Sequence, residues 1–358
     1  MGLAAFVATA VAIAAAAQPA LAGVHPDFYG VNFQSQGKTE KDVSKMAGGN
    51  VRHVRLAIRW ASVQPQEGQP LNWASYDNVI GDMAAHGIQV LPILIASPPW
   101  AEKNGGKPPL SSKKSRQGWK NFVTQAVNRY GQGGTFWSNP LLYTRAHPAK
   151  APQPIPAWQV WNEVNLQHYF KAHNKVAKYA ELLRLSHRAI KAGDPNATVV
   201  LSSLVGNGDP SGSLDGWTFL KKLYHKKGFS KKFDVASLHP YAIDTTYQTK
   251  WIRKFHRVMA AHHDGNKPLW LTEVSWGSAK PDKIGFNLGK KGQARMLTKD
   301  FKQLWNERHK FSIRRVYWFT FRDPKRGNAR CSFCGSAGLL KSDFHPKPSW
   351  KAFKRFTG

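Results

Sequence analysis

The segments "AWQVWNE" (157–163), "KVAKYAELLRLSHRAIKAG" (175–193) and "ATVVLSS" (197–203) follow one another with short connections. The first and third are continuous apolar runs of strand length, which are typical of strands buried on both faces of a parallel sheet. The middle segment carries apolar residues at helical spacing and stops at Gly193 and Pro195. This stretch therefore predicts a strand–helix–strand unit.

The same unit recurs along the chain. Further apolar runs of strand length lie at 27–33, 51–58, 88–95, 233–239, 268–274 and 314–321. Amphipathic stretches that predict helices lie near 75–86, 116–130, 247–262, 291–308 and 348–356. Strands that alternate with helices in this way predict an α/β protein with a single (β/α)8 TIM barrel. A doubly wound open sheet is the alternative, but no glycine-rich phosphate loop follows the first strand.

The first 22 residues differ from the rest of the chain. They contain "LAAFVATAVAIAAAA", a run too short to span a bilayer comfortably, followed by Ala20-Leu21-Ala22, which has the pattern of a secretory cleavage site. We expect residues 1–22 to be a signal peptide and residues 23–358 to form one domain. The stretch before the apolar run lacks the Lys and Arg that a signal peptide usually carries. A retained membrane anchor is the alternative. The expected mature protein is an extracellular monomer with no transmembrane segment.

Cys331 and Cys334, in "CSFCG", are the only cysteines of the chain. In an exported protein a pair this close predicts a local disulfide. A zinc site would need two further ligands, and only His345 lies near in sequence. A thioredoxin-like pair would start a helix after a strand, which Gly335 does not favour. We therefore predict a disulfide, with neither a metal site nor a cofactor.

Two glutamates end separate apolar runs, Glu163 in "WQVWNEVN" and Glu273 in "WLTEVSW". Glutamate is scarce, at seven residues against 52 Lys and Arg, so this placement is notable. In a barrel of this kind the active site is built at the carboxyl ends of the strands, where these side chains would face each other. A protonated and an ionised carboxyl group that converge on a cleft are what cleavage of a glycosidic bond requires. The alternative is that each is an ordinary surface residue at a strand end.

"WNEVN" together with "LTEVSW" resembles the retaining glycoside hydrolases of clan A. The likeness is closest to family 39, the β-xylosidase-like and iduronidase-like enzymes, with family 5 as a neighbour. It covers nearly the whole mature chain, including "VRLAIRWASVQPQEGQPLNW", "SPPWA", "HPY" and "YWFTFRD". Family 5 enzymes usually carry a histidine at the end of strand three, and this chain reads "LIASPPWA" there.

The resemblance implies a role for each matching residue. Glu163 would be the general acid and then the general base, and Glu273 would be the nucleophile. Asn162 would bind the sugar hydroxyl next to the anomeric carbon.

Further side chains would complete the site by the same resemblance. Arg55 and Tyr241 would contact the nucleophile, and His239 and Trp318 would shape the subsite of the reacting sugar. Trp100 and Trp318 are also candidates for stacking on sugar rings, with a place in the core as the alternative.

The predicted function is that of a secreted retaining glycoside hydrolase acting on a polysaccharide or oligosaccharide. A non-catalytic carbohydrate-binding or adhesive barrel is the alternative. The formal net charge of +31 predicts attraction to anionic polymers, acidic polysaccharides included. The alternative is a generally basic exported protein, whose charge serves solubility or adhesion. No nucleic-acid partner is expected, because the basic clusters lack the signatures of nucleic-acid readers.

Overall fold

The computed structural model describes residues 23–34, 39–208, 213–325 and 331–358. The predicted signal peptide lies outside the described residues. Within them, the strands are Tyr29–Phe33 (β1), His53–Arg59 (β2), Gln89–Ile95 (β3), Ala157–Val160 (β4), Thr198–Val200 (β5), Leu204–Val205 (β6), Ala236–His239 (β7), Leu269–Val274 (β8) and Ile313–Trp318 (β9).

Helices alternate with these strands. They are Thr39–Ala47 (α1), Trp60–Val63 (α2), Ala74–Ala85 (α3), Lys113–Tyr130 (α4), Thr135–Ser138 (α5), Tyr143–Ala146 (α6), Lys175–Gly193 (α7), Gly216–Tyr224 (α8), Thr245–Ala261 (α9), Gly289–Glu307 (α10) and Pro348–Thr357 (α11). All six helices expected from the sequence are present, with ends that differ by at most three residues. None of the helices in the described part of the chain combines the length and hydrophobicity needed to cross a bilayer.

Side-chain caps fix the starts of the longer helices. The Ser112 hydroxyl accepts a hydrogen bond from the backbone N–H of Ser115 at the start of α4, and the Asn174 amide oxygen does the same for Ala177 in α7. Asp244 accepts from two backbone N–H groups at the start of α9. Each cap satisfies donors that the first turn of a helix leaves unpaired.

The strands form one sheet in the order β5-β4-β3-β2-β1-β9-β8-β7-β6, and every named pair is parallel. This confirms an α/β fold with a parallel sheet. The bounds predicted for the fifth strand, 197–203, are wrong, because β5 ends at Val200 and the next strand, β6, begins only at Leu204. Isolated parallel bridges join Val200 to Val235 and Asn162 to Ser203, so the interrupted segment still contacts both of its neighbours.

The sheet encloses side chains in layers. An apolar layer consists of Leu91, Ala157, Val200, Val235, Trp270 and Tyr317. Two residues further along their strands, Gln159 and Thr272 belong to a fully buried polar layer with Ser203 and Ser237. In that layer the Thr272 hydroxyl lies 2.6 Å from the Ser203 hydroxyl and 2.7 Å from the Ser237 hydroxyl. Residues just beyond this layer, among them Asn162 after β4 and Glu273 in β8, line the carboxyl-end cleft.

Outside the sheet, aromatic side chains fill the space beneath the helices. Trp60 is fully buried, and its ring packs against those of Trp119 and Phe122. Trp73 stacks on Phe122 from the other side. Both tryptophans therefore belong to the core between the sheet and its helices.

Candidate active site

The backbone between β4 and Glu163 has an unusual conformation. Trp161 and Glu163 have φ values of 69° and 47°, in the left-handed region that non-glycine residues seldom adopt. Asn162, between them, is bridged to Ser203. Positive φ at a non-glycine residue costs free energy and tends to be found at functional sites. The turn places Glu163, only 6% exposed, on the wall of the carboxyl-end cleft.

Glu273 reaches the same cleft from β8. Its pairing with β9 shifts register between Leu271 and Val274, which interrupts the regular alternation of faces at this point. Arg55 Nη1 donates to Glu273 Oε1 at 2.6 Å, and the Tyr241 hydroxyl donates to Oε2 at 2.7 Å. Both oxygens of the carboxylate are therefore held, and the guanidinium compensates its charge.

Arg55 is itself fixed by the strands around it. It lies on β2 with 1% of its side chain exposed, and its Nε donates to Gln159 Oε1 at 2.7 Å. Nη1 also donates to Asn32 Oδ1 at 2.9 Å, and Nη2 donates to Asn162 Oδ1 at 2.7 Å. All three of its nitrogens thus have partners, so the guanidinium is pre-organised against Glu273 before any substrate binds.

His239 connects the two glutamates. Its Nδ1 lies 2.7 Å from Glu163 Oε1 and 3.6 Å from Glu273 Oε2, while its Nε2 lies 3.0 Å from Thr272 Oγ1. Complete burial, together with the positive charge of Arg55, lowers the pKa of His239 well below its usual value. The imidazole is therefore neutral at neutral pH, and it positions Glu163 without adding a charge.

The two carboxyl groups have different surroundings. Burial, and then the negative charge of Glu273, raises the pKa of Glu163 well above its usual value, and Arg55 only partly opposes this. Burial and the charge of Glu273 likewise raise the pKa of Tyr241, which keeps its phenol protonated as a donor. One carboxyl oxygen of each glutamate lies within 4.8 Å of the other. A neutral acid thus faces a carboxylate, as paired acid and base roles require.

Glu163, His239 and Glu273 also have the spacing of a metal site, because their candidate ligand atoms all lie within 4.8 Å of one another. The chemistry of the surroundings does not fit a cation. Arg55 already places a fixed positive charge 2.6 Å from Glu273. A second positive charge there would be repelled, so the cluster fits a carboxyl pair better than a metal site.

Five of the eight residues singled out in the sequence line this cleft, and His239 is fully buried behind them against Glu163, whereas Trp100 and Trp318 do not reach the cleft. Trp318 is fully buried on the helical side of β9, where its indole N–H donates to the Ala337 carbonyl. Trp100 packs edge-on against Trp60 and donates to the Gln64 carbonyl. Trp318 is thus part of the core, and Trp100, although partly exposed, does not line the cleft.

Several cleft residues escaped the sequence analysis. Phe319, Phe333 and Tyr169 line the cleft beside the two glutamates. Phe333 lies between Cys331 and Cys334. The predicted disulfide between these two cysteines is confirmed, with an S–S distance of 2.00 Å. The signals were faint, namely an aromatic residue between two cysteines, another directly after β9 and a third in the loop between β4 and α7.

Asn32 and Gln159 were also missed. Each is a lone amide in an otherwise apolar strand, and each accepts a hydrogen bond from Arg55. A buried amide that interrupts an apolar strand is a usable signal, because such a group needs a polar partner.

Comparison with known proteins places these features in a wider group. Residues 119–342 match the family described as the glycosyl hydrolase catalytic core. A β-xylosidase of Geobacillus stearothermophilus is 27% identical in an alignment that covers 57% of this chain and 42% of the β-xylosidase. The chain therefore spans less than half the length of that relative.

Solved structures share the fold. A family 39 glycoside hydrolase from the gut symbiont Bacteroides cellulosilyticus WH2 has a TM-score of 0.68 at 22% identity, covering 94% of this chain and 65% of its own. A monomeric β-xylosidase from Caulobacter crescentus CB15 has a TM-score of 0.64 at 18% identity, with 92% and 67% covered. The family 5 protein GH5_18 from Bifidobacterium longum subsp. longum has a TM-score of 0.65 at 15% identity, with 92% and 77% covered. The resemblance to clan A, families 39 and 5, is confirmed.

Proposed function

Because this chain belongs to the glycosyl hydrolase catalytic core family, we propose that it is a secreted retaining glycosidase that hydrolyses O-glycosidic bonds of a polysaccharide or oligosaccharide. The observation that carries the proposal is the pair Glu163 and Glu273, with carboxyl oxygens within 4.8 Å of each other across the cleft. Inverting enzymes hold their carboxyl groups roughly 6.5–9.5 Å apart to admit a water molecule, whereas retaining enzymes hold them about 5–5.5 Å apart. The spacing here favours the retaining mechanism.

In the first step, Glu273 attacks the anomeric carbon while protonated Glu163 donates its proton to the leaving oxygen. The glycosidic bond breaks, and an ester bond forms between Glu273 and the sugar. In the second step, Glu163, now a carboxylate, takes a proton from water as the water attacks the same carbon and releases Glu273. The negative charge of Glu273 raises the pKa of Glu163, and this charge is absent from the ester. The pKa of Glu163 therefore falls when the ester forms, which suits its change from acid to base.

Arg55 and Asn162 support both steps. Arg55 keeps Glu273 oriented and compensates its charge in the free enzyme. Asn162 uses its amide oxygen to accept from Arg55, so its amide N–H₂ group remains available to a substrate hydroxyl. A hydrogen bond to the hydroxyl beside the anomeric carbon would strengthen as positive charge develops on the sugar ring.

We also propose that the sheet is an eight-unit barrel in which β5 and β6 are one strand interrupted at residues 201–203. The bridges from Val200 to Val235 and from Asn162 to Ser203 support this. Secretion is proposed from the signal-like residues 1–22, and the Cys331–Cys334 disulfide supports an oxidising compartment.

Hydrolysis of a panel of aryl β-glycosides, together with reducing-end release from a panel of polysaccharides, tests the proposed function. We expect turnover of at least one substrate by the full chain. The matched control is the Glu163→Gln/Glu273→Gln double variant, which keeps the shape of both side chains and should show none. If the chain binds carbohydrate but both proteins are equally inactive on every substrate, the non-catalytic carbohydrate-binding barrel is the correct alternative.

A further inference from the structure

The catalytic cleft continues into a larger cavity. The cleft around the two glutamates has a volume of about 420 Å³, and the cavity beside it, between the start of α3 and α6, has a volume of about 1200 Å³. Four residues line both, namely Phe33, Gln34, Ala57 and Arg59. The two spaces therefore meet at the carboxyl ends of β1 and β2. A glycan that reacts at Glu273 has room for further sugar units on this side.

Arg59 lies at this junction because of the alternation of faces in β2. Arg55, Ala57 and Arg59 are spaced two residues apart, and all three line the cleft. At about 3.3 Å per residue, the Cα of Arg59 lies roughly 13 Å further along the strand than that of Arg55. The methyl group of Ala57 leaves the space between the two guanidinium groups open. Arg59 is therefore placed beside a neighbouring sugar unit instead of the reacting one.

Arg55 and Arg59 differ in the partners of their guanidinium groups. Arg55 is buried, and all of its nitrogens have protein partners. The side chain of Arg59 is exposed, and it forms no ion pair with a carboxylate in the described parts of the chain. Its backbone is fixed, since its N–H donates to the Tyr76 hydroxyl at 2.9 Å. A guanidinium on a rigid strand end, without an acidic partner, is suited to bind a planar anion.

Acidic groups of the cavity do not cancel this charge. Asp77 is already bound by Arg129 through two hydrogen bonds, of 2.7 and 2.5 Å, and by the Tyr130 hydroxyl. Asp82 lies 3.7 Å from the imidazole of His147, and burial raises its pKa. Neither carboxylate pairs with Arg59, so its guanidinium remains available to an anion. The net charge of +31 attracts anions to the protein at long range.

We propose that Arg59 binds an anionic group, a carboxylate or a sulfate, on a sugar unit next to the one that is cleaved, so that the substrate is an anionic glycan. This rests on the proposed function, because it locates the scissile bond at Glu163 and Glu273. Arg59 is a specificity-determining residue in this account, and it takes no part in bond cleavage. Carboxylates and sulfates share the geometry that a guanidinium fork recognises.

The test compares two arginines that carry the same charge. Arg59→Ala removes the proposed contact, and Arg52→Ala removes an exposed arginine just before the start of β2, whose Nε donates to Asn50. Both changes lower the net charge by one, so any effect of overall charge is the same. Both are made in a chain carrying Glu163→Gln and Glu273→Gln, which together prevent cleavage. Affinity is measured by calorimetry for tetragalacturonate and chondroitin sulfate tetrasaccharide, and for their carboxyl-reduced and desulfated counterparts.

We expect at least one charged probe to bind more tightly than the counterpart that lacks its carboxylate or its sulfate groups. Arg59→Ala should weaken that binding about 10-fold or more, Arg59→Lys should restore part of it, and Arg52→Ala should change it by less than about 2-fold. The carboxyl-reduced and desulfated forms show which anion is recognised. Equal effects of the two alanine substitutions, or no preference for any charged probe, would overturn the proposal. Because binding is measured without turnover, its outcome is independent of the hydrolysis screen.

Discussion

Replacing Glu273 with glycine is expected to lower kcat by about 10⁴-fold or more, because no group remains that can form the ester with the sugar. The substitution leaves a space beside Arg55 and Tyr241, the two residues that donate to the carboxylate. A small anion can occupy that space and attack the anomeric carbon directly. Added azide should therefore restore part of the turnover of an activated aryl glycoside, with a glycosyl azide of inverted configuration as the product.

The measurement is kcat for a dinitrophenyl glycoside with and without azide, with the product identified by NMR. Glu102→Gln is the matched control, because Glu102 is also buried, at 6% exposed, and accepts a backbone hydrogen bond away from the two catalytic glutamates. It should remain close to wild type. Wild-type-like activity of the Glu273 variant, or rescue that leaves the anomeric configuration unchanged, would exclude Glu273 as the nucleophile.

Replacing Glu163 with alanine is expected to separate substrates by leaving group. A phenol that ionises readily needs no proton donation, so its departure should be nearly unaffected. For an alcohol or sugar leaving group, loss of the acid should cost about 10²–10⁴-fold in kcat/KM. The check is the slope of log(kcat/KM) against the leaving-group pKa, which should be steep in the variant and shallow in the wild type. Equal slopes would contradict the acid role.

The pH profile of the same two proteins tests the state of Glu163. Burial and the charge of Glu273 raise its pKa, so the protonated form persists to higher pH than for an exposed glutamate. As pH rises through that raised pKa, the acid is lost and kcat/KM of the wild type should fall. The alanine variant has no acid to lose, so this fall at high pH should be absent from its profile.

Much of the fold follows from the sequence because the hydrophobic pattern is strong. A parallel sheet covered by helices buries both the continuous apolar runs and the apolar face of the helix 175–193. The fifth strand was the exception. Its regular pairing ends at Val200, and the side chain of Ser203 joins the buried polar layer. Pattern alone could not show that an apolar run with a serine end would be divided.

The site was more sensitive to single positions. Trp318 and Phe319 are adjacent at the end of β9, and neighbouring residues of a strand face opposite sides. Tyr317 belongs to the interior layer, so Phe319 lines the cleft and Trp318 packs beneath the helices. An error of one residue in the predicted register therefore places a core residue in the cleft. Arg55, Asn162, His239 and Tyr241 were placed by resemblance, which carries register information that composition and periodicity lack.

The central claim is that both displacements occur at one anomeric carbon, first by Glu273 and then by water. The most direct measurement is the proton NMR spectrum of the first product, recorded during hydrolysis of an aryl glycoside and before the free sugar mutarotates. Two successive inversions predict that the product first appears with the same anomeric configuration as the substrate. First appearance of the opposite anomer would contradict the account, because it requires a single displacement by water between carboxyl groups that here approach within 4.8 Å.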